Sequence, residues 1–137
     1  MTALKTVLVL CTGNSCRSQM AEAILNHDLA GRVRALSAGT EPQPQVAAGA
    51  IAALQAAGLA TDGLHPKHVD VLLDEPIDLV VSVCDNARES CPVFPRPVRR
   101  LHLPFHDPHG ESLERFLQVR DDIRRRLVPA VCAALEV

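Results

Sequence analysis

The residues best suited to chemistry lie in "CTGNSCRS" (11–18), between the apolar run "TVLVL" (6–10) and "QMAEAIL" (19–25). A turn from a strand into a helix needs only a glycine and a capping hydroxyl. Two cysteines and an arginine there predict a function. Successive backbone N–H groups of such a turn converge, and the helix N-terminus adds roughly half a positive charge. Thr12, Gly13, Asn14, Ser15, Cys16, Arg17 and Ser18 thus form a candidate nest for a tetrahedral oxyanion. Gly13 lets the backbone turn where a Cβ would clash, and Asn14 tolerates a left-handed conformation. Five residues separate Cys11 from Arg17, whose planar fork grips two oxyanion oxygens. The same positive field predicts a lowered pKa for Cys11, making it a thiolate nucleophile aimed at the anion, with Ser18 donating to it. The Gly-Lys-Ser/Thr ending of a phosphate-binding P-loop is missing. A thioredoxin-type C-x-x-C is missing as well, because four residues separate Cys11 and Cys16.

A second cysteine pair, Cys84 and Cys91, flanks "DNARES" after the apolar run "IDLVVSV" (77–83). Thiols brought close to Cys11 would support thiol–disulfide exchange. The plainer readings are a small buried hydrophobe for Cys84 and an idle loop thiol for Cys91. A zinc site from Cys11, Cys16, Cys84 and Cys91 fits poorly: zinc pairs usually enclose two to four residues, and the second pair encloses six. Arg17 beside a metal would also be unfavourable. Asp107, before Pro108, reads on residue type alone as a turn former. The histidines of "HPKH" (65–68) and "HDPH" (106–109) read as surface loop residues, His106 and His109 flanking Asp107. Cys16 reads as a bystander prone to oxidation, Cys132 as core, and "VRDDIRRRL" (119–127) as a solvated face of paired charges.

These residues need elements to hold them. The β-branched run 6–10 suits a strand buried on both faces, as in a parallel sheet. Ala21, Ile24, Leu25 and Leu29 recur at helical spacing over 18–30, with Gly31 as a stop. "RVRALSA" (32–38) alternates as a strand, and "EPQPQ" (41–45) is a loop. Val46, Ala50, Leu54 and Ala57 share a helical face that Gly58 ends. "PKHVDVLLD" (66–74) reads as a short helix opened by Pro66. Residues 77–83 form a buried strand, 84–97 a loop with one helical turn, and "RRLHL" (99–103) an edge strand. Phe116, Val119, Ile123 and Leu127 mark a last amphipathic helix that Pro129 bends or ends. Alternating strands and helices predict an α/β fold, a doubly wound sheet of about four parallel strands. In that fold Cys11, Cys84 and "PFHDPHG" (104–110) fall at the carboxyl ends of strands, on one edge of the sheet.

The chain has 137 residues, enough for a single domain spanning 1–137 with a core that needs no disulfides. Three Phe and no Tyr or Trp leave the core to aliphatic residues and argue against an aromatic substrate clamp. A net charge of −2, with no basic run longer than "RRR" (124–126), argues against nucleic acid as a partner. No run approaches the roughly 18 apolar residues of a membrane span, and the opening residues read as strand rather than signal peptide. Five cysteines, an odd number, fit a reducing cytosol.

"CTGNSCRSQMAE", "SAGT" (37–40), "DLVVSVCDNARESCP" (78–92) and the "DP" at 107–108 together resemble the thioredoxin-coupled arsenate reductases of the low-molecular-weight tyrosine phosphatase superfamily. The resemblance implies that Cys11 attacks the bound oxyanion, with Arg17 holding it and Asp107 as general acid. It implies that Cys84 and Cys91 relay a disulfide outward to thioredoxin. Phosphate-monoester hydrolysis is the alternative activity, since the first step is shared. Some reductases of this kind bind potassium near the anion loop. Asn14, Glu22 and Ser37 match that pattern, whereas His68 stands where an acidic residue belongs. No metal or other cofactor is otherwise expected.

Overall fold

The computed structural model describes residues 4–84, 94 and 97–137. Among them, β1 (Lys5–Cys11), β2 (Val33–Gly39), β3 (Leu79–Ser82) and β4 (Arg99–His102) form one parallel sheet in the order β2-β1-β3-β4. β1 is paired on both sides, and all its residues from Thr6 to Cys11 are buried. This explains its continuous apolar run. β4 is an edge strand, as its two arginines lead one to expect, and Arg99 and Arg100 are exposed.

Three α-helices accompany the sheet among the described residues: α1 (Arg17–Asp28), α2 (Ala48–Ala56) and α3 (Leu113–Leu135). Ala21, Ile24, Leu25 and Leu29 are all buried, and so are Phe116, Val119, Ile123 and Leu127. α3 packs against both α1 and α2. Gly49 permits the α2–α3 approach, because a Cβ there would lie 2.6 Å from the Phe116 ring.

One expectation narrows and one needs correction. Of the two outcomes expected at Pro129, a bend or an end, the end is excluded: α3 runs on to Leu135. An internal proline costs about 3 kcal/mol, and burial of Val131 beyond it on the same stripe as Ile123 and Leu127 offsets that cost. The stretch 66–74 holds only a 3-10 turn, Val69–Leu72, opened by His68 rather than Pro66. Lys67 and His68 are drawn into the sheet instead: the Gly39 N–H donates to the Lys67 carbonyl at 2.9 Å, and Gly39 bridges His68. The 84–97 loop lies outside the described residues except for Cys84, Phe94 and Pro97. Cys132 is half-buried and packs against the core's edge.

Candidate active site

Strand register brings the chemical residues together. Leu10 is level with Ala38 on one side and Ser82 on the other. The ladder continues with the Val83 N–H donating to the Leu10 carbonyl at 2.9 Å. Cys11 and Cys84 therefore leave neighbouring strands at the same edge. The Leu103 and Phe105 N–H groups donate to the Ser82 and Val83 carbonyls at 2.9 and 3.1 Å. This bond pair carries the segment through Asp107 to that edge. A cavity of about 470 Å³ opens there, lined by residues 11–17 with Glu41, Gln43, Cys84, Asp107 and His109.

The cavity suits an anion. α1 begins with no side-chain cap and no acidic residue in its first turn, so its end retains N–H groups for a ligand. The Arg17 Nη1 donates to the Phe105 carbonyl at 3.1 Å, and Nη2 lies 3.5 Å from Asp107 Oδ2. Its Nε is buried with no hydrogen-bond partner among the described residues. A buried orphan donor is rare, and an oxyanion oxygen would satisfy it. Asp107 is half exposed, and its Oδ1 accepts the His109 N–H at 3.0 Å. His106 instead pairs with Glu111 at 2.6 Å.

The thiols differ from expectation. Cys84 stands beside Cys11 in the cavity wall, and hydrogen bonding by its thiol is the first cause raising Cys11 above an ordinary thiol pKa. Burial raises it further, against lowering by Arg17 and by the Thr12 N–H. The expected depressed thiolate is thus corrected: Arg17 acts as anticipated, but the second thiol and burial outweigh it. Cys84 also lies 3.3 Å from the Thr12 hydroxyl. Cys16 is pushed up to about 12, by burial first and then by Asp107, with Arg17 opposing. Cys91 lies outside the described residues.

Two further positions are corrected. Ser18 is fully buried behind the loop, accepts from Asn14 Nδ2 at 2.8 Å and does not line the cavity. Asn14 takes the left-handed conformation at φ 48° as expected, but the steric demand for glycine sits elsewhere. A Cβ on Gly13 would meet only the Gln43 side chain, at 3.1 Å, whereas one on Gly39 would lie 2.4 Å from the Thr12 carbonyl. Gly39 had no role in the reading of residue types. Neither did the 41–47 segment, whose Glu41, Gln43 and Ala47 N–H groups donate to the carbonyls of Thr12, Gly13 and Ser15 at 2.8–2.9 Å. The prolines in that segment mark it as non-helical, and its backbone N–H groups make it a buttress for the anion loop.

Comparison with known proteins places this geometry. The family model described as low molecular weight phosphotyrosine protein phosphatase matches residues 6–136. A protein named arsenate reductase from Bacillus cereus (strain 03BB102) is 40% identical over 123 residues, covering 90% of this chain and 91% of its own length. A solved structure described as an arsenate reductase in the phosphate binding state is 30% identical, with a TM-score of 0.79 over 96% of this chain and 99% of that one. The crystal structure of arsenate reductase from Archaeoglobus fulgidus is 31% identical, with a TM-score of 0.77 over 91% of this chain and 98% of that one. By the span of that match and the identity to these relatives, the chain belongs to the low molecular weight phosphotyrosine protein phosphatase family, in the company of proteins named arsenate reductase.

Proposed function

We propose that this chain, acting as a single cytosolic domain, reduces arsenate to arsenite with electrons from its own thiols and is regenerated by thioredoxin. The observation that carries this reading is the pair of cysteines, Cys11 and Cys84, that leave neighbouring strands into one cavity wall. Hydrolysis needs one sulfur, whereas reduction by thiols needs a second within reach of the first. Arsenate enters the loop 11–17 and is held by Arg17 and backbone N–H groups. The Cys11 thiolate attacks arsenic, and Asp107 protonates the departing oxygen, which leaves as water. The Cys84 thiolate then attacks the Cys11 sulfur. The sulfur–arsenic electron pair returns to arsenic, which leaves as arsenite, and a Cys11–Cys84 disulfide forms. Cys91 attacks Cys84, frees Cys11 and leaves a Cys84–Cys91 disulfide for thioredoxin to reduce. Two thiols supply the two electrons.

Phosphate-monoester hydrolysis shares the first step and is proposed as a slow side activity. The described cavity wall contains no Phe, Tyr or Trp ring to frame a phosphotyrosine. The test is NADPH consumption with arsenate, thioredoxin and thioredoxin reductase, run beside aryl-phosphate hydrolysis. Cys11→Ser should lose both activities; Cys84→Ser should lose the arsenate-dependent oxidation alone. Undiminished oxidation in Cys84→Ser would defeat the relay. Hydrolysis without arsenate-dependent oxidation, from thioredoxin or glutaredoxin, would make the protein a phosphatase.

A further inference from the structure

Asn14, the left-handed residue of the anion loop, is completely buried and held by three hydrogen bonds from its side chain. Its Nδ2 donates to the Ser18 and Ser37 hydroxyls at 2.8 and 3.0 Å, and its Oδ1 accepts the Lys67 N–H at 3.0 Å. The Ser37 hydroxyl donates onward to Glu22 Oε1 at 2.8 Å. The Lys67 ammonium closes the cluster. Nζ donates to the carbonyls of Ser37 and His65 at 2.9 and 3.0 Å and lies 3.9 Å from Glu22 Oε1. Both charged side chains are largely shielded, 18% exposed for Lys67 and 15% for Glu22.

A potassium ion fits this arrangement poorly. The Ser37 carbonyl and the Glu22 carboxylate, oxygens of the residues expected to hold the ion, already face an ammonium. A second cation among them would adjoin a fixed positive charge. His68 is not available as a ligand either, because its Nδ1 accepts the Asp70 N–H at 3.0 Å and caps the 3-10 turn. Burial lowers the pKa of the Lys67 ammonium, and the Glu22 carboxylate opposes that lowering.

We infer that Lys67 is a built-in cation that takes the place of a free metal ion behind the anion loop, a positioning residue that fixes Asn14 and through it the loop. This inference rests on the oxyanion reading of residues 11–17, not on reduction. The backbone N–H of Lys67 holds Asn14 directly, and the ammonium orders Ser37 and Glu22 on its other side.

The test is equilibrium binding of inorganic phosphate by calorimetry, in potassium chloride and in tetramethylammonium chloride at equal ionic strength. Wild-type affinity should be the same in both salts. Lys67→Ala should bind phosphate on the order of tenfold more weakly in tetramethylammonium, and potassium, small enough to enter the vacated position, should restore most of the loss. Lys67→Arg should retain wild-type affinity. Wild-type affinity that rises with potassium would overturn the inference. So would Lys67→Ala binding like wild type, a deficit equal in both salts, or Lys67→Arg as weak as Lys67→Ala. The wild-type comparison decides even where a variant folds poorly. Wild type that binds no phosphate at all would sink the oxyanion reading and this inference with it.

Discussion

Cys11 has neighbours that pull its proton in opposite directions. Arg17 and the Thr12 N–H favour the thiolate; the hydrogen bond to Cys84 and burial favour the thiol and prevail. The relay asks Cys11 and then Cys84 to act as nucleophile. Removing Cys84 removes the largest raising influence, so Cys84→Ala should lower the pKa of Cys11. The rate of iodoacetamide alkylation at Cys11, followed by peptide mass spectrometry across pH, should show its midpoint moving down. An unmoved or higher midpoint would mean that burial alone governs Cys11. Cys16, pushed up to about 12, stays protonated at neutral pH, which fits a residue that lines the cavity without acting as nucleophile.

Among the elements, α2 and α3 are fitted to each other at Gly49. Gly49→Ala forces its Cβ into the buried Phe116 ring, and overpacking of this kind costs about 1–3 kcal/mol. Urea unfolding should show a lower midpoint at unchanged slope, while a midpoint equal to wild type would show that the ring moves aside freely. Helical and strand periodicity was readable because burial imposes it: the stripe from Phe116 to Leu127 and the β-branched run of β1 face the core as their spacing implies. In the stretch 66–74 local signals favour a helix that the fold does not form. Its fate is decided by Gly39, which draws Lys67 and His68 into extended pairing from far along the chain. At Pro129 the same holds of the helix end, since burial of Val131 beyond it outweighs a local penalty.

In the molecule as a whole, residues distant in sequence complete both the site and the frame. The convergence of Cys11, Arg17, Cys84 and Asp107 on one cavity was legible because the parallel topology puts their loops on one edge. Gly39, Lys67 and the 41–47 buttress were not, because their roles lie in contacts that no local spacing encodes. The frame has a similar long-range tie: Arg124 of α3 donates two hydrogen bonds to Asp28 of α1, at 2.6 and 2.7 Å. That pairing holds the Asp28 carboxyl below its ordinary value, with a smaller share from His27. A depressed carboxylate stabilises the fold above its unfolded pKa of about 3.9, and the contribution fades as pH falls through the folded value. Asp28→Asn should therefore melt below wild type at neutral pH, with the gap closing below about pH 4. A gap independent of pH would assign the effect to packing. The site itself is best tested by a single turnover of the fully reduced protein with arsenate and no external reductant. One arsenite per chain, two thiols lost and a Cys84–Cys91 disulfide in the peptide map are expected. Arsenite without thiol loss, or no arsenite from a protein that binds phosphate, would rule out reduction by this relay.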